Sequence, residues 1–241
     1  MPEAVHKIYT ALEKSIPTNK IHVLDNGSDS NLIYSNTSIR IPVNKKVSGA
    51  YRHIFNKAIE EDVKFIVTIT TSAILLDLNY LKGIHKTIKS RSNSKWSAIY
   101  GNINNIDSDM KESISDQIQV KDWVINPFHA QPLLTIWNVE YLKEIKQLKH
   151  GWFDEHYVNG QGATEDMRMY NLTSGWNEWT TPYITTDWWR NSTHRYGRAG
   201  VEAKEYYKNN KREYNQRFKS KFNMTKAQVE SHLLRNSRKE E

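Results

Sequence analysis

Residues 65–81 read FIVTITTSAILLDLNYL, an apolar, β-branched run that enters the hydroxyl cluster Thr70-Thr71-Ser72 and resumes as Ala73-Ile74-Leu75-Leu76. A short run of this kind reads as a buried strand, placed at 63–69, and residues 77–90 read as a helix after it. The strand end is unusual. Buried strands stop at Gly, Pro, Asn or Asp, and a strand end that does chemistry tends to carry a charge. Working outward, residues 3–15 form a predicted helix with Val5, Ile8, Tyr9 and Leu12 on one face. A strand at 21–24 runs into the dense turn DNGSDS at 25–30. Residues 48–61 read as a helix and 96–100 as a strand. Strands alternating with helices predict an α/β fold, a mainly parallel sheet flanked by helices, with ligands at the carboxyl ends of the strands. Asp25, Asn26, Thr71, Ser72 and Ala73 are then expected to line one crevice.

The second half is less regular. Strands are predicted at 120–128 and 132–137, a helix at 139–148, a Gly- and aromatic-rich loop at 151–162 and a helix at 164–172. Residues 180–198 read as irregular, and a basic, Tyr-rich helix is predicted from 201 to about 222. There is no internal repeat and no Ser/Gly/Pro linker. The economical division is one domain over 1–200 with a basic helical extension over 201–241.

Of 241 residues, 38% are hydrophobic and 25% charged, a globular composition able to bury a large core. No apolar run approaches the roughly 18 residues of a membrane span, and the N-terminal segment has no apolar signal core. A cytoplasmic protein, of a bacterium or a phage-infected cell, is the expectation. With no Cys, disulfides, thiolate metal sites and cysteine nucleophiles are excluded. The net charge of +7 favours anionic partners, although part of it sits in the last forty residues and fits a solvated tail equally well. Walker A, GxGxxG, HExxH and GxSxG patterns do not occur, which argues against P-loop, Rossmann dinucleotide, zincin and serine-hydrolase chemistry.

Three segments could carry chemistry. In GATEDMRMYNL (162–172), Thr164 is expected to cap a helix whose first turn holds Glu165 and Asp166. As a cap these acids need do nothing more; on a rigid helix start facing a crevice, one of them suits a general base. Arg168 would pair with the other acid or bind a donor. GWFDEHY (151–157) sets Trp152 and Phe153 beside Asp154 and Glu155, as an aromatic-packed loop or an acceptor site. TTDWWRNSTHRYGRAG (185–200) mixes Trp188 and Trp189 with Arg190, His194, Arg195 and Arg198. It reads as a pyrophosphate clamp or as a surface basic patch.

Taken in order, these pieces resemble the family 2-like glycosyltransferases of the GT-A fold, a Rossmann-like nucleotide-binding fold. IHVLDNGSDSN matches the first strand and its turn, TITTSAILLDLNYL the metal-motif strand and its sequel, and GWFDEHYVNGQGATEDMRMYNL the G-x-F-D-E and E-D-x-x-x-R blocks. The resemblance covers about residues 20–172. It implies a hexosyltransferase of the inverting type acting on a nucleotide-diphosphate sugar, with a UDP-sugar expected. Asp25 and Asn26 would hold the nucleoside, and Asp166, with Glu165 beside it, would match the base that deprotonates the acceptor. Asp154 and Glu155, with Trp152, Trp188 and Trp189, would lie near the acceptor. Arg190, His194, Arg195 and Arg198 would close over the diphosphate.

One departure is the hydroxyl cluster itself. The family carries D-x-D where this chain has Thr71-Ser72-Ala73, and neutral hydroxyls do not offset a divalent cation's desolvation as carboxylates do. The expectation is a metal-independent enzyme in which arginines replace the cation; Asp187 and His194 are the residues left for a displaced metal. Two acceptors fit, a hydroxymethylated pyrimidine in DNA, as modified by some bacteriophage enzymes, or a glycan or cell-surface polymer. A non-catalytic relic that binds nucleotide sugar or nucleic acid is the alternative. The sequence leaves the oligomeric state open.

Overall fold

The computed structural model describes residues 2–71, 73–75, 80–103, 124–125, 134–158, 162–188 and 205–237. Helices α1 (Pro2–Glu13), α2 (Lys46–Glu60), α3 (Tyr80–Ser90), α4 (Val139–Gln147), α5 (Ala163–Ser174), α6 (Lys211–Phe222) and α7 (Lys226–Ser237) surround two sheets. Strands β1 (Leu24–Asn26) and β2 (Ile39–Ile41) pair in parallel as a small sheet of their own. The main sheet has the order β3 (Phe65–Ile69), β7 (Leu134–Asn138), β5 (Trp96–Ile103), β8 (Asn177–Trp188), β4 (Ala73–Leu75), with β6 (Val124–Ile125) also pairing β8.

The chain is mixed α/β, as its alternating periodicities imply, but the main sheet is not mainly parallel. Among the described pairings of this sheet only β5 and β8 run parallel; β3/β7, β5/β7, β4/β8 and β6/β8 are antiparallel. The cause is insertion. β3 and β5 both oppose β7, so they point the same way, as a β-α-β crossover requires, and β7 enters between them. The carboxyl ends of β3, β5 and β8 therefore lie at one end of the sheet. There the hydroxyl cluster begins, and there β8 ends at Trp188, within the Trp-Arg segment. The Ala73–Trp188 and Ile74–Asp187 backbone pairings bring the two stretches into register. Asp25 stands outside this sheet, on β1.

A second correction concerns 180–198, read as irregular. Through Trp188 it belongs to β8, a strand of twelve residues in the interior of the sheet. Pro182 disguised it. Pairing with β5 skips from Gly101–Thr181 to Asn102–Thr185, so a bulge absorbs the residue that cannot donate to the ladder.

Both faces of the sheet are covered. Ala98, Tyr100 and Trp137 pack with α2 and α4 residues Tyr51, Phe55, Tyr141, Leu142 and Ile145, while Ile99, Leu134 and Ile136 face the other way against Ile84 and Ile88 of α3. This alternation is the period-2 signature of a strand buried on both sides. Gly83 lets α3 approach β8, since a Cβ there would stand 2.5 Å from the Tyr183 carbonyl oxygen. Helices α6 and α7 are packed rather than solvated: Tyr214, Phe218, Val229 and Leu233 join the same core as Tyr157, Ala163 and Met167.

Candidate functional site: a buried carboxylate pair under the C-terminal helices

The turn after α4 and the start of α5 converge. His150 ends the α4 turn by donating its backbone N–H to the Ile145 carbonyl at 2.9 Å. Gly151–Phe153 then form one 3-10 turn that delivers Asp154. Gly162 begins α5 at φ +87°, a conformation that suits glycine, and a Cβ there would press on Tyr157 at 2.9 Å. Glu165 accepts from the Gly162 N–H at 3.0 Å, so the cap of this helix is Gly162 with Glu165, and Thr164 lies inside the first turn.

These turns bring Asp154 and Asp166 together on one ammonium group. Lys221 Nζ stands 2.7 Å from Asp154 Oδ2 and also bonds Asp166 Oδ2. Asp154 is 2% exposed and Asp166 0%. Arg217 Nε donates to Asp154 Oδ2 at 2.6 Å, while His156 donates to Asp154 Oδ1 from its backbone N–H at 3.1 Å and from Nδ1 at 2.8 Å. His150 Nδ1 donates to Asp166 Oδ1 at 2.5 Å. Two carboxylates face two cations, so the buried charge balances. Burial raises the Asp154 carboxyl, but hydrogen bonds from Lys221, Arg217 and His156 outweigh it and hold the group at about 2. Burial pushes the phenol of Tyr157 well up, and the Asp166 and Asp154 charges push it further.

The other expected residues are placed as follows. Glu165 pairs with Lys226 at 2.9 Å and so ties α5 to α7. Arg168 is buried and bonds Glu178 at 3.2 Å, beside Tyr100 and Asn171, which also bond Glu178. Trp152 is a core residue stacked on Tyr51 at 4.6 Å, and Glu155 is exposed with Arg52 at 3.5 Å. Asp25 accepts from the Ser28 N–H at 3.3 Å and stabilises the turn; Asn26 holds the 44–46 loop through bonds to Asn44, Lys45 and Lys46. Thr71 is an exposed turn residue. Asp187 and Trp188 lie on β8. Ser72, Trp189, Arg190, His194, Arg195 and Arg198 lie outside the described residues.

The enzymes that the sequence resembles hold a divalent cation where this chain has Thr71-Ser72-Ala73, and these residues do not suit one: two hydroxyls and a methyl supply no charge. Among the described residues there is no group of three or more His, Asp or Glu arranged to hold a metal. Among them, too, no helix is long and apolar enough to cross a membrane.

Sequence reasoning missed Lys221, Arg217 and His150. A signal existed: Tyr214, Phe218, Arg217 and Lys221 repeat at i, i+4 on adjoining stripes of one helix, the pattern of a face that buries both rings and charges.

Site and fold together define a mixed α/β protein with a buried acid–base cluster beside a sheet covered by helices on both faces. In comparison with known proteins, the chain matches no family model, and no curated protein is significantly similar to it.

Proposed function

We propose that the protein is an inverting glycosyltransferase, moving a sugar from a nucleotide-diphosphate donor, a UDP-sugar, to an acceptor hydroxyl without a D-x-D metal. The observation that carries this reading is the meeting of Asp154 and Asp166 on Lys221. The FDE and ED blocks are twelve residues apart in sequence, yet Asp154 of one and Asp166 of the other share one ammonium group, which supports a common role. The reaction is a single displacement. The acceptor oxygen attacks the anomeric carbon as its proton passes to a base, and the carbon–oxygen bond to the diphosphate breaks with its electron pair going to the leaving group. Asp166 supplies the negative charge of that base. Charge developing on the diphosphate falls to Arg190, His194, Arg195 and Arg198, whose segment follows β8 where Trp188 pairs with Ala73.

A DNA acceptor carrying a hydroxymethylated pyrimidine is supported by Lys208, Lys211, Arg212 and Lys219, all exposed along residues 205–222. A mobility shift of hydroxymethylated duplex that weakens steeply with salt, with no transfer to oligosaccharide, supports it; the reverse pattern assigns a glycan acceptor.

The seal over Asp166 favours one other reading, a non-catalytic nucleotide-sugar binder. Asp166→Asn separates the two. The expected result is a loss of turnover by about 10²–10⁴-fold with donor affinity kept; wild-type binding without any turnover would leave only the binder.

A further inference from the structure

Asp166 has no free oxygen with which to meet an acceptor. Its Oδ2 is taken by Lys221, its Oδ1 by His150, and the residue is 0% exposed. His150 differs. Its side chain is 18% exposed, and its ring lies between Tyr170 at 4.8 Å and Phe222 at 6.3 Å, nearly parallel to both. Since a carboxylate only accepts, the contact with Asp166 places the imidazole proton on Nδ1. In the neutral ring that leaves Nε2 with a lone pair, and no partner holds it among the described residues. A buried aspartate that orients a partly exposed imidazole is the arrangement by which a histidine is set up as a base.

We propose that His150 Nε2 takes the acceptor proton and that Asp166 is its positioning partner. This rests on the glycosyl-transfer reading. The acceptor O–H bond breaks to His150 as the oxygen bonds the anomeric carbon and the diphosphate departs. The imidazolium formed is stabilised by Asp166 and releases its proton to solvent.

Lys221 makes the test sharp. It is an obligate donor, so in Asp166→Asn the new carbonyl oxygen must face Lys221 and the amide N–H₂ must face His150. The imidazole proton is then forced onto Nε2 and the base is lost. Nitrogen-edited NMR of the histidine rings, with His150→Gln to assign the signal, should show His150 protonated on Nδ1 in the wild type and on Nε2 in Asp166→Asn. His150→Asn keeps a donor for Asp166 and lacks the basic nitrogen; it should remain folded, bind UDP-sugar normally and lose turnover by about 10²–10⁴-fold. A wild-type Nε2–H tautomer overturns the proposal, as does a His150→Asn enzyme within about threefold of wild type. The second result, joined to an inactive Asp166→Asn, would assign the proton to Asp166 and leave glycosyl transfer standing. Absence of wild-type turnover with any sugar nucleotide would refute glycosyl transfer, and with it this role, although the tautomer would still report the dyad.

Discussion

At Asp154 the local chemistry has a thermodynamic consequence that does not depend on the reaction. The carboxyl sits at about 2 in the folded chain, below its ordinary 3.8. A depressed carboxylate stabilises the fold above its unfolded value, and that stabilisation is lost as pH falls through the folded one. The contribution at neutral pH is on the order of 2 kcal/mol. Urea unfolding should therefore show stability falling between about pH 5 and pH 2. Asp154→Asn should flatten that slope while lowering stability at neutral pH, because Arg217 and Lys221 lose a buried partner. An unchanged slope in the variant would show that other carboxylates set the acid limit. The residue scale also shows what the sequence could not state. That Asp154 and Asp166 are acids of interest followed from their blocks, whereas their burial depends on a lysine more than fifty positions later, which local pattern does not reveal.

At the scale of elements, the helices α2, α4 and α5 were legible from the helical period of their apolar residues, and the strands β3 and β7 from short β-branched, apolar runs. β8 was hidden by Pro182, and β7's insertion was hidden because strand order is a long-range property. Helix α7 lies in the extension read as helical but was not placed as a helix of its own, although its start carries a signal: Thr225 and Gln228 bond reciprocally, backbone to side chain, at 2.8 and 3.3 Å. The packing of α6 gives the element-level prediction. Phe218 is fully buried and touches Tyr157 and Phe222. Phe218→Ala should cost about 3–5 kcal/mol in denaturant unfolding, the penalty of a core cavity. A cost under about 1 kcal/mol, in the range of a surface substitution, would show that the C-terminal helices do not share the core's stability.

For the molecule as a whole, three co-directed strands set their carboxyl ends at one end of the sheet, and two C-terminal helices close the acid–base cluster. Thr71 stands just past the end of β3 and opens the Thr71-Ser72-Ala73 stretch, where the enzymes that the sequence resembles carry D-x-D. On the proposed reading, the charge that meets a leaving diphosphate comes from arginines that follow β8 in sequence. The most direct test is release of nucleoside diphosphate from UDP-, GDP- and dTDP-sugars by the full chain in excess EDTA, with and without acceptor. The expected result is acceptor-dependent turnover of one of these donors, fastest for a UDP-sugar, that EDTA leaves unchanged. Turnover of none of them, or activity abolished by EDTA and restored by Mn²⁺, would contradict it.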